Sequence, residues 1–376
     1  MNFVLSGREL AKLAVMLVIA TVAFGLSGLL MILIMQWMTL QSFAEDATDK
    51  HGIAEVKASR LGGVAVALGI SISLVFYLLF AGNRQGSLIQ LQNGWAIWLA
   101  AAACFSLGLM EDLRNNSLSP KLRIASKAAL MLAVFLIVPE IVPRELGIPG
   151  VDWLLAFQPV ALLLVLFFSV GFINAVNTVD GANGLVSGIF VFAYIIFSLE
   201  FSHITHPAGL HGAALFLIFN VISGRLFLGD AGSYGMGAGL LFSALAVLAD
   251  GSVSIFFLAA LYFYPCFDFL VSILRRFLAG QSITEPDNDH FHNRLHGFSR
   301  RRFKSKNLAN SVTGLSIAGA SSGLVLLIYL NDLIAINSAQ WLRVFIFQSA
   351  LYGAVFIATG VRARMYARMR ELGLQE

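Results

Sequence analysis

Long apolar stretches alternate with short polar ones along the whole 376-residue chain. A helix needs roughly 20 mainly apolar residues to cross a bilayer. About eleven runs approach or meet that length, near 13–36, 61–81, 94–110, 124–142, 153–175, 185–201, 210–224, 233–250, 254–274, 309–330 and 341–360, the seventh being short. The pattern predicts an all-α, polytopic integral membrane protein. The first run, about 24 residues long, exceeds the roughly 7 to 15 of a signal-peptide core and lacks a persuasive small-residue cleavage site, so it reads as a membrane anchor.

Composition agrees with the pattern. Apolar residues make up 58% of the chain and charged ones 12%, with a mean hydropathy of +0.80, which excludes a water-soluble globule. Charge placement then sets the orientation, because positive loops stay in the cytoplasm. With the N-terminus outside, the loops at about 37–60, 111–123, 176–184, 225–232 and 275–308 and the C-terminal tail are cytoplasmic. They hold 20 of the 25 Lys and Arg residues, Lys127 counted with its loop, and only Arg8, Lys12, Arg84, Arg144 and Arg343 remain outside. Arg8 and Lys12 argue locally for the opposite topology, and the global count outweighs them. The net charge of +4 comes largely from these loops and from RRFKSK (301–306) and VRARMYARMR (361–370), which suit an anionic inner leaflet. Cys104 and Cys266 fall within apolar runs and read as small hydrophobes, with no disulfide or zinc framework. Nucleic-acid motifs, fixed-period repeats and long linkers are absent, so residues 1–376 read as one transmembrane domain.

The candidate chemistry lies at the cytoplasmic ends of the runs. Acids at a membrane edge are costly and usually functional. Glu111 and Asp112 close the third run and lead into EDLRNNSLSPKLR (111–123). Adjacent carboxylates can share a divalent cation, or one can hold the metal while the other orients a nucleophile, and Lys121 and Arg123 could bind phosphate nearby. A solvated turn with topogenic charges explains this loop about as well. In NAVNTVDGANGL (174–185), Asn174 and Asn177 share one helical face and lead to Asp180, Gly181, Asn183 and Gly184. Interhelical hydrogen-bonding would account for one asparagine, but it explains the following Asp-Gly-x-Asn-Gly poorly. Asn220 and Arg225 precede FLGDAGS (227–233), where glycines beside Asp230 let backbone amides approach an anion. The stretch PDNDHFHNRLH (286–296) offers His290, His292 and Arg294 to phosphate or sugar hydroxyls, and no third well-spaced ligand supports zinc. Arg300, Arg301, Arg302, Lys304 and Lys306 read as topology signals, and His51, His203, His206 and His211 lie away from every motif.

Together these motifs resemble the polyprenyl-phosphate N-acetylhexosamine-1-phosphate transferases, the MraY- and WecA-type membrane enzymes, and most closely the WecA-type branch. The resemblance covers about residues 46–300, with Arg60-Leu61-Gly62-Gly63 as an earlier element in the same order. The sequence departs from the family pattern at Glu111 and Asn183, where the family usually has Asp, and at Asn293, where it usually has a third histidine.

The resemblance implies that polyprenyl (undecaprenyl) phosphate attacks the β-phosphate of a UDP-N-acetylhexosamine, giving polyprenyl-diphospho-sugar and UMP at the bacterial inner membrane. It implies Mg²⁺, with Mn²⁺ as the alternative, held by Asp112 and Asp230. Glu111, Asp112 and Asp180 are the expected catalytic residues. Lys121, Asn174, Asn177, Asn183, Asn220, His290, His292 and Arg294 are the expected substrate-binding ones. The role of Asp112 as metal ligand, base or nucleophile stays open, and homodimerisation is compatible with the reading. The competing class is a transporter or flippase of lipid-linked sugars, which predicts ionisable residues at mid-membrane. The informative acids instead cluster on one face, Asp268 after Pro265 being the main partial exception.

Overall fold

The computed structural model describes residues 6–41, 58–80, 94–114, 118–201, 207–282 and 289–371. Most of the expected loop 37–60, with His51, lies outside the described residues, as do Arg84, His203, His206 and residues 283–288. Among the described residues, each predicted apolar run coincides with one or more helices. In chain order the helices are α1 (Gly7–Met38), α2 (Gly62–Phe80), α3 (Gly94–Arg114), α4 (Pro120–Ile137), α5 (Pro149–Leu155), α6 (Gln158–Thr178), α7 (Leu185–Glu200) and α8 (Pro207–Ser223). They continue with α9 (Gly229–Ala249), α10 (Ile255–Leu261), α11 (Phe263–Leu278), α12 (Phe291–Arg302), α13 (Lys306–Ala318), α14 (Leu324–Leu330) and α15 (Trp341–Glu371). The β-structure among the described residues is a single isolated parallel bridge, Ser59 to Leu226.

By length and composition, six helices among the described residues could cross a membrane: α1, α3, α6, α9, α13–α14 and α15. The bent α10–α11 pair makes a seventh, and α2, α7 and α8 are shorter apolar helices. At the centre stands α9, packed against α2, α3, α6 and α7. Its first half reads Gly-Asp-Ala-Gly-Ser-Tyr-Gly-Met-Gly-Ala-Gly, and small residues let neighbouring backbones come close where lipid supplies no hydrophobic drive between helices. A Cβ on Gly108 of α3 would stand 2.2 Å from the Asp230 carbonyl oxygen, and one on Gly63 of α2 would stand 2.2 Å from the Gly232 nitrogen.

Three expected spans are not straight. The first run, anticipated as one crossing, reverses at Gly25, whose φ of +62° and ψ of −144° belong to a region only glycine visits without strain. The two arms touch backbone to backbone, since a Cβ on Gly28 would stand 2.2 Å from the Ala20 carbonyl oxygen. Ser27 Oγ donates to the Phe24 carbonyl (2.8 Å) and pairs with His211 Nε2 (3.1 Å), tying the turn to α8. The return arm brings Gln36 into the same cleft as Ser6, Glu9 and Lys12. Arg225 donates to Glu9 Oε1 at 2.8 Å, so the N-terminal end lies beside the 225–228 segment. The run at 153–175 divides into α5 and α6 at Ala156–Phe157.

The run at 254–274 bends by 81° between α10 and α11. Pro265 has no N–H to give the Leu261 carbonyl four residues back, and its ring crowds that carbonyl. The orphaned acceptor is taken by Ser322 Oγ at 2.6 Å, while Gln348 Nε2 serves the carbonyls of Ala260 (3.3 Å) and Ser321 (3.2 Å). Ser321 and Ser322 belong to a π turn, Gly319–Gly323, between α13 and α14. Away from water a bend persists only where other groups satisfy the freed backbone. Ser322→Ala should therefore destabilise the detergent-solubilised protein by about 1 kcal/mol, read as a lower thermal midpoint, and Ser322→Thr should recover most of the loss.

Candidate active site

The site begins where two loop segments lie side by side. Ser59 N–H donates to the Arg225 carbonyl (3.0 Å) and Phe227 N–H to the Ser59 carbonyl (2.8 Å). Gly62 and Gly63 N–H then donate to the carbonyls of Phe227 (2.9 Å) and Leu228 (2.8 Å). This ladder aims the chain into α9 at Gly229, whose φ of +72° turns the backbone. A Cβ there would stand 2.6 Å from the Arg60 carbonyl oxygen and 2.7 Å from Asp112 Oδ2.

Two carboxylates then receive the first amides of α9. Asp112, at the end of α3, accepts from Asp230 N–H at Oδ1 (3.0 Å) and from Ala231 N–H at Oδ2 (2.8 Å). Asp180, in the turn after α6, accepts from Gly229 N–H. Unpaired N–H groups and the helix dipole make a helix start favourable for anions. Asp230 sits on that same turn, so acids from three distant stretches of chain meet at one place. Burial, and then the nearby charges of Asp112 and Asp230, push the Asp180 pKa up to about 8, against the opposing Gly229 amide.

Cations and amides surround the acids. Lys127 is 1% exposed; its Nζ donates to Asn174 Oδ1 and lies 4.1 Å from the centre of the Tyr234 ring, with Asp230 attracting it. Asn174 in turn donates to the Val170 carbonyl (2.9 Å). Asn177 accepts from Ser233 Oγ (2.6 Å) and hydrogen-bonds the Asp230 side chain. Arg123 donates to the Leu118 carbonyl (3.2 Å), lies 3.5 Å from Glu111 Oε2 and attracts Asp230. Glu111 Oε1 accepts from Leu118 N–H (2.9 Å), so this acid braces the loop entering α4. Lys127, which counts with its loop in the charge balance, is also buried beside Asp230. The signal was available, as a lysine inside an apolar run is a functional candidate by default.

The remaining expected site residues fall into separate neighbourhoods. Asn183 donates to Asn307 Oδ1 (2.9 Å) and Ser311 Oγ (3.4 Å), and its Oδ1 accepts from Asn220 (3.4 Å). Asn220 accepts from Gly184 N–H (2.7 Å) and donates to the Leu226 carbonyl (2.8 Å). This buried amide network ties the 180–184 turn to α8 and α13. Lys121 is exposed on the first turn of α4. Arg294 grips Asp289 with two bonds of 2.6 Å and stacks 3.8 Å over Phe356 of α15. His290 and His292 stack with centroids 5.5 Å apart. A Cβ on Gly181 would stand 2.4 Å from His292 Nε2, which places the histidine pair against the residue following Asp180. Asp268, the exception to the one-face distribution, bonds His290 Nδ1 at 2.8 Å. His211 serves the N-terminal hairpin.

The acids suit a hard divalent cation. Their oxygens are the preferred ligand type, and burial together with the charges of Asp112 and Asp230 raises the Asp180 pKa, a cost that a cation beside them would relieve. No group of three His, Cys, Asp or Glu among the described residues forms a metal cage unaided. Mg²⁺ commonly binds through one or two carboxylates together with substrate phosphates, so the set fits an ion bound along with substrate.

Residues 94–250, which carry the three aspartates and Lys127, match the model described as glycosyl transferase family 4. A decaprenyl-phosphate N-acetylglucosaminephosphotransferase of Mycobacterium leprae (strain TN) is 30% identical over 275 residues, 65% of this chain and 68% of that protein. The chain belongs to glycosyl transferase family 4. The protein of the same name from Mycobacterium tuberculosis (strain ATCC 25618 / H37Rv) is also 30% identical, over 65% of this chain and 67% of its own. A phospho-N-acetylmuramoyl-pentapeptide-transferase of Bacillus cereus (strain AH187) is 26% identical over 305 residues, 76% of this chain and 91% of that protein. The match of this family 4 chain to the family model stops short of the histidine pair, which reaches the site through tertiary packing.

A raised carboxyl pKa means that the folded state disfavours the ionised form. Its stabilising contribution is therefore full below the ordinary carboxyl range and is lost as pH rises through about 8. In EDTA, the thermal midpoint of the wild type should fall from pH 5 to pH 8.5 by more than that of Asp180→Asn. Equal slopes for the two proteins would contradict the electrostatic account.

Proposed function

We propose that the chain transfers an N-acetylhexosamine 1-phosphate from a UDP-sugar to polyprenyl phosphate, releasing UMP, as the initiating membrane step of a cell-envelope glycan. The observation carrying this reading is the meeting of Asp112, Asp180 and Asp230 at the first turn of α9, beside buried Lys127. Family membership supports the reaction class, and the relatives named for N-acetylglucosamine and N-acetylmuramoyl-pentapeptide phosphotransfer support a UDP-N-acetylhexosamine donor.

A phosphate monoester with a second pKa of about 6 is mostly dianionic near neutrality, so attack on the β-phosphorus needs alignment and charge neutralisation more than a base. The new P–O bond forms from the lipid phosphate oxygen, and the bond to the bridging oxygen breaks to release UMP. Lys127 and Arg123 offer fixed positive charge for the incoming phosphate. Both oxygens of Asp112 are held by the first amides of α9, and Asp112 is read as a metal ligand alongside Asp230. Bound there, Mg²⁺ or Mn²⁺ would supply neutralisation for the diphosphate. Glu111 holds Arg123 and the loop, and Asn177 steadies Asp230.

The site face is read as cytoplasmic, at a bacterial inner membrane, with the whole chain as one catalytic domain. Ten crossings follow, by α2, α3, α4, α6, α7, α8, α9, the α10–α11 pair, α13–α14 and α15, with the α1 hairpin entering and leaving on the site face. This departs from the expected eleven spans and outer N-terminus. It also moves Arg8 and Lys12 to the positive side, leaving Arg84, Arg144 and Arg343 outside.

Membranes bearing the chain should release UMP from UDP-N-acetylhexosamine only with polyprenyl phosphate and a divalent cation, and competition among donors identifies the sugar. Asp230→Asn and Lys127→Met should each lower the rate by about 100-fold or more; full activity in Asp230→Asn would defeat the assignment. For the topology, Gly7→Cys should react with a membrane-impermeant maleimide in inside-out vesicles and stay unlabelled in right-side-out ones, and the reverse pattern would restore an outer N-terminus.

A further inference from the structure

Tyr264 and Asp268 stand four residues apart on α11, so they share a helical face, and each engages one of the two stacked histidines. Asp268, 1% exposed, accepts from His290 Nδ1 (2.8 Å), Phe291 N–H (3.0 Å) and the Tyr352 hydroxyl (2.7 Å). All three partners can donate, as an ionised carboxylate requires, because it can only accept. Nδ1 of His290 therefore carries its hydrogen, and in the neutral imidazole Nε2 keeps a lone pair. At the second ring the order is opposite. The Tyr264 oxygen accepts from His292 N–H (3.1 Å) and lies 3.0 Å from His292 Nδ1. The amide can only donate, so of these two contacts the ring nitrogen is the one that can accept the hydroxyl's own hydrogen. His292 Nδ1 is then bare, and Nε2 carries the hydrogen beside Gly181.

We propose that Asp268 and Tyr264 are positioning residues that hold His290 and His292 in opposite tautomers, giving the phosphorylated sugar one hydrogen-bond acceptor and one donor. The assignment to the sugar rests on the transferase reading; the tautomers do not. The Nε2–H of His292 suits a phosphate oxygen, and the bare Nε2 of His290 suits a sugar hydroxyl or amide N–H. Residues that fix a histidine's tautomer through its other nitrogen control its chemistry without touching the ligand. Tyr352 contributes from α15, so the last helix takes part in aiming a residue of the site.

The test is ¹⁵N magic-angle-spinning NMR of histidine-labelled protein in lipid vesicles, with the two rings assigned through His290→Asn and His292→Asn. The wild type should show a protonated Nδ1 and bare Nε2 at His290 and the reverse at His292. Asp268→Asn, whose amide can donate as well as accept, should alter His290 alone, and Tyr264→Phe should alter His292 alone. Identical tautomers in the two rings, which the wild type reveals even where a variant fails to fold, would overturn the proposal. In the UMP-release assay, Asp268→Asn should raise KM for the UDP-sugar by roughly tenfold with a smaller change in kcat, and Asp268→Asn/His290→Asn should be no worse than His290→Asn. Losses that multiply would remove the positioning role. Opposite tautomers in a protein that releases no UMP would leave the histidine assignment standing and count against the transferase reading.

Discussion

The carboxylate of Asp112 accepting the amide hydrogens of Asp230 and Ala231 is the contact on which the site depends. It fixes the C-terminal end of α3 against the first turn of α9, the turn that also carries the Asp230 side chain. The contact requires α3 and α9 to approach almost backbone to backbone, which glycine at 108 permits. It also requires α9 to start at one place, which the pairing of residues 59–63 with 225–228 secures. Asp180 occupies the Gly229 amide and completes a carboxylate cluster whose mutual repulsion is tolerated because Lys127 and Arg123 stand beside it.

Around this fixed point the helices depart from straight rods, and each departure has a local cause and a local remedy. At Gly25 a positive φ reverses the first apolar run, and Ser27 and His211 hold the turn. At Pro265 a missing N–H frees the Leu261 carbonyl, and Ser322 takes it up. The bend directs α11 so that Tyr264 and Asp268 meet the start of α12, and the histidines are thereby carried against the turn that follows Asp180. Polar side chains within the apolar layer thus have two uses here, satisfying bent backbone and aiming site residues.

Much of this was legible in the sequence. The acid and glycine motifs at the ends of apolar runs pointed to Asp112, Asp180 and Asp230 as candidates, because a carboxylate at a membrane edge is costly, and the fold brings the three together. Lys127 was legible only in part, since a lysine at a run's start reads equally as a topology charge. The amide network around Asn183 was not legible, because Asn220 lies 37 residues along the chain and Asn307 and Ser311 lie 124 and 128. The contacts of Asp268 were hidden because His290 and Tyr352 lie 22 and 84 residues away along the chain.

Sequence alone determined the helical, membrane-embedded class and the residue types of the candidate site, because hydrophobic run length and the cost of buried charge act residue by residue. It could not determine that the first run folds back, since a glycine in a helix-length apolar stretch is compatible with a straight or a reversed path. Tertiary structure decided that path, the bend at Pro265 and the pairing of each acid with particular amides. Those outcomes depend on which distant group is present to satisfy a freed donor or acceptor, and only packing brings such groups together.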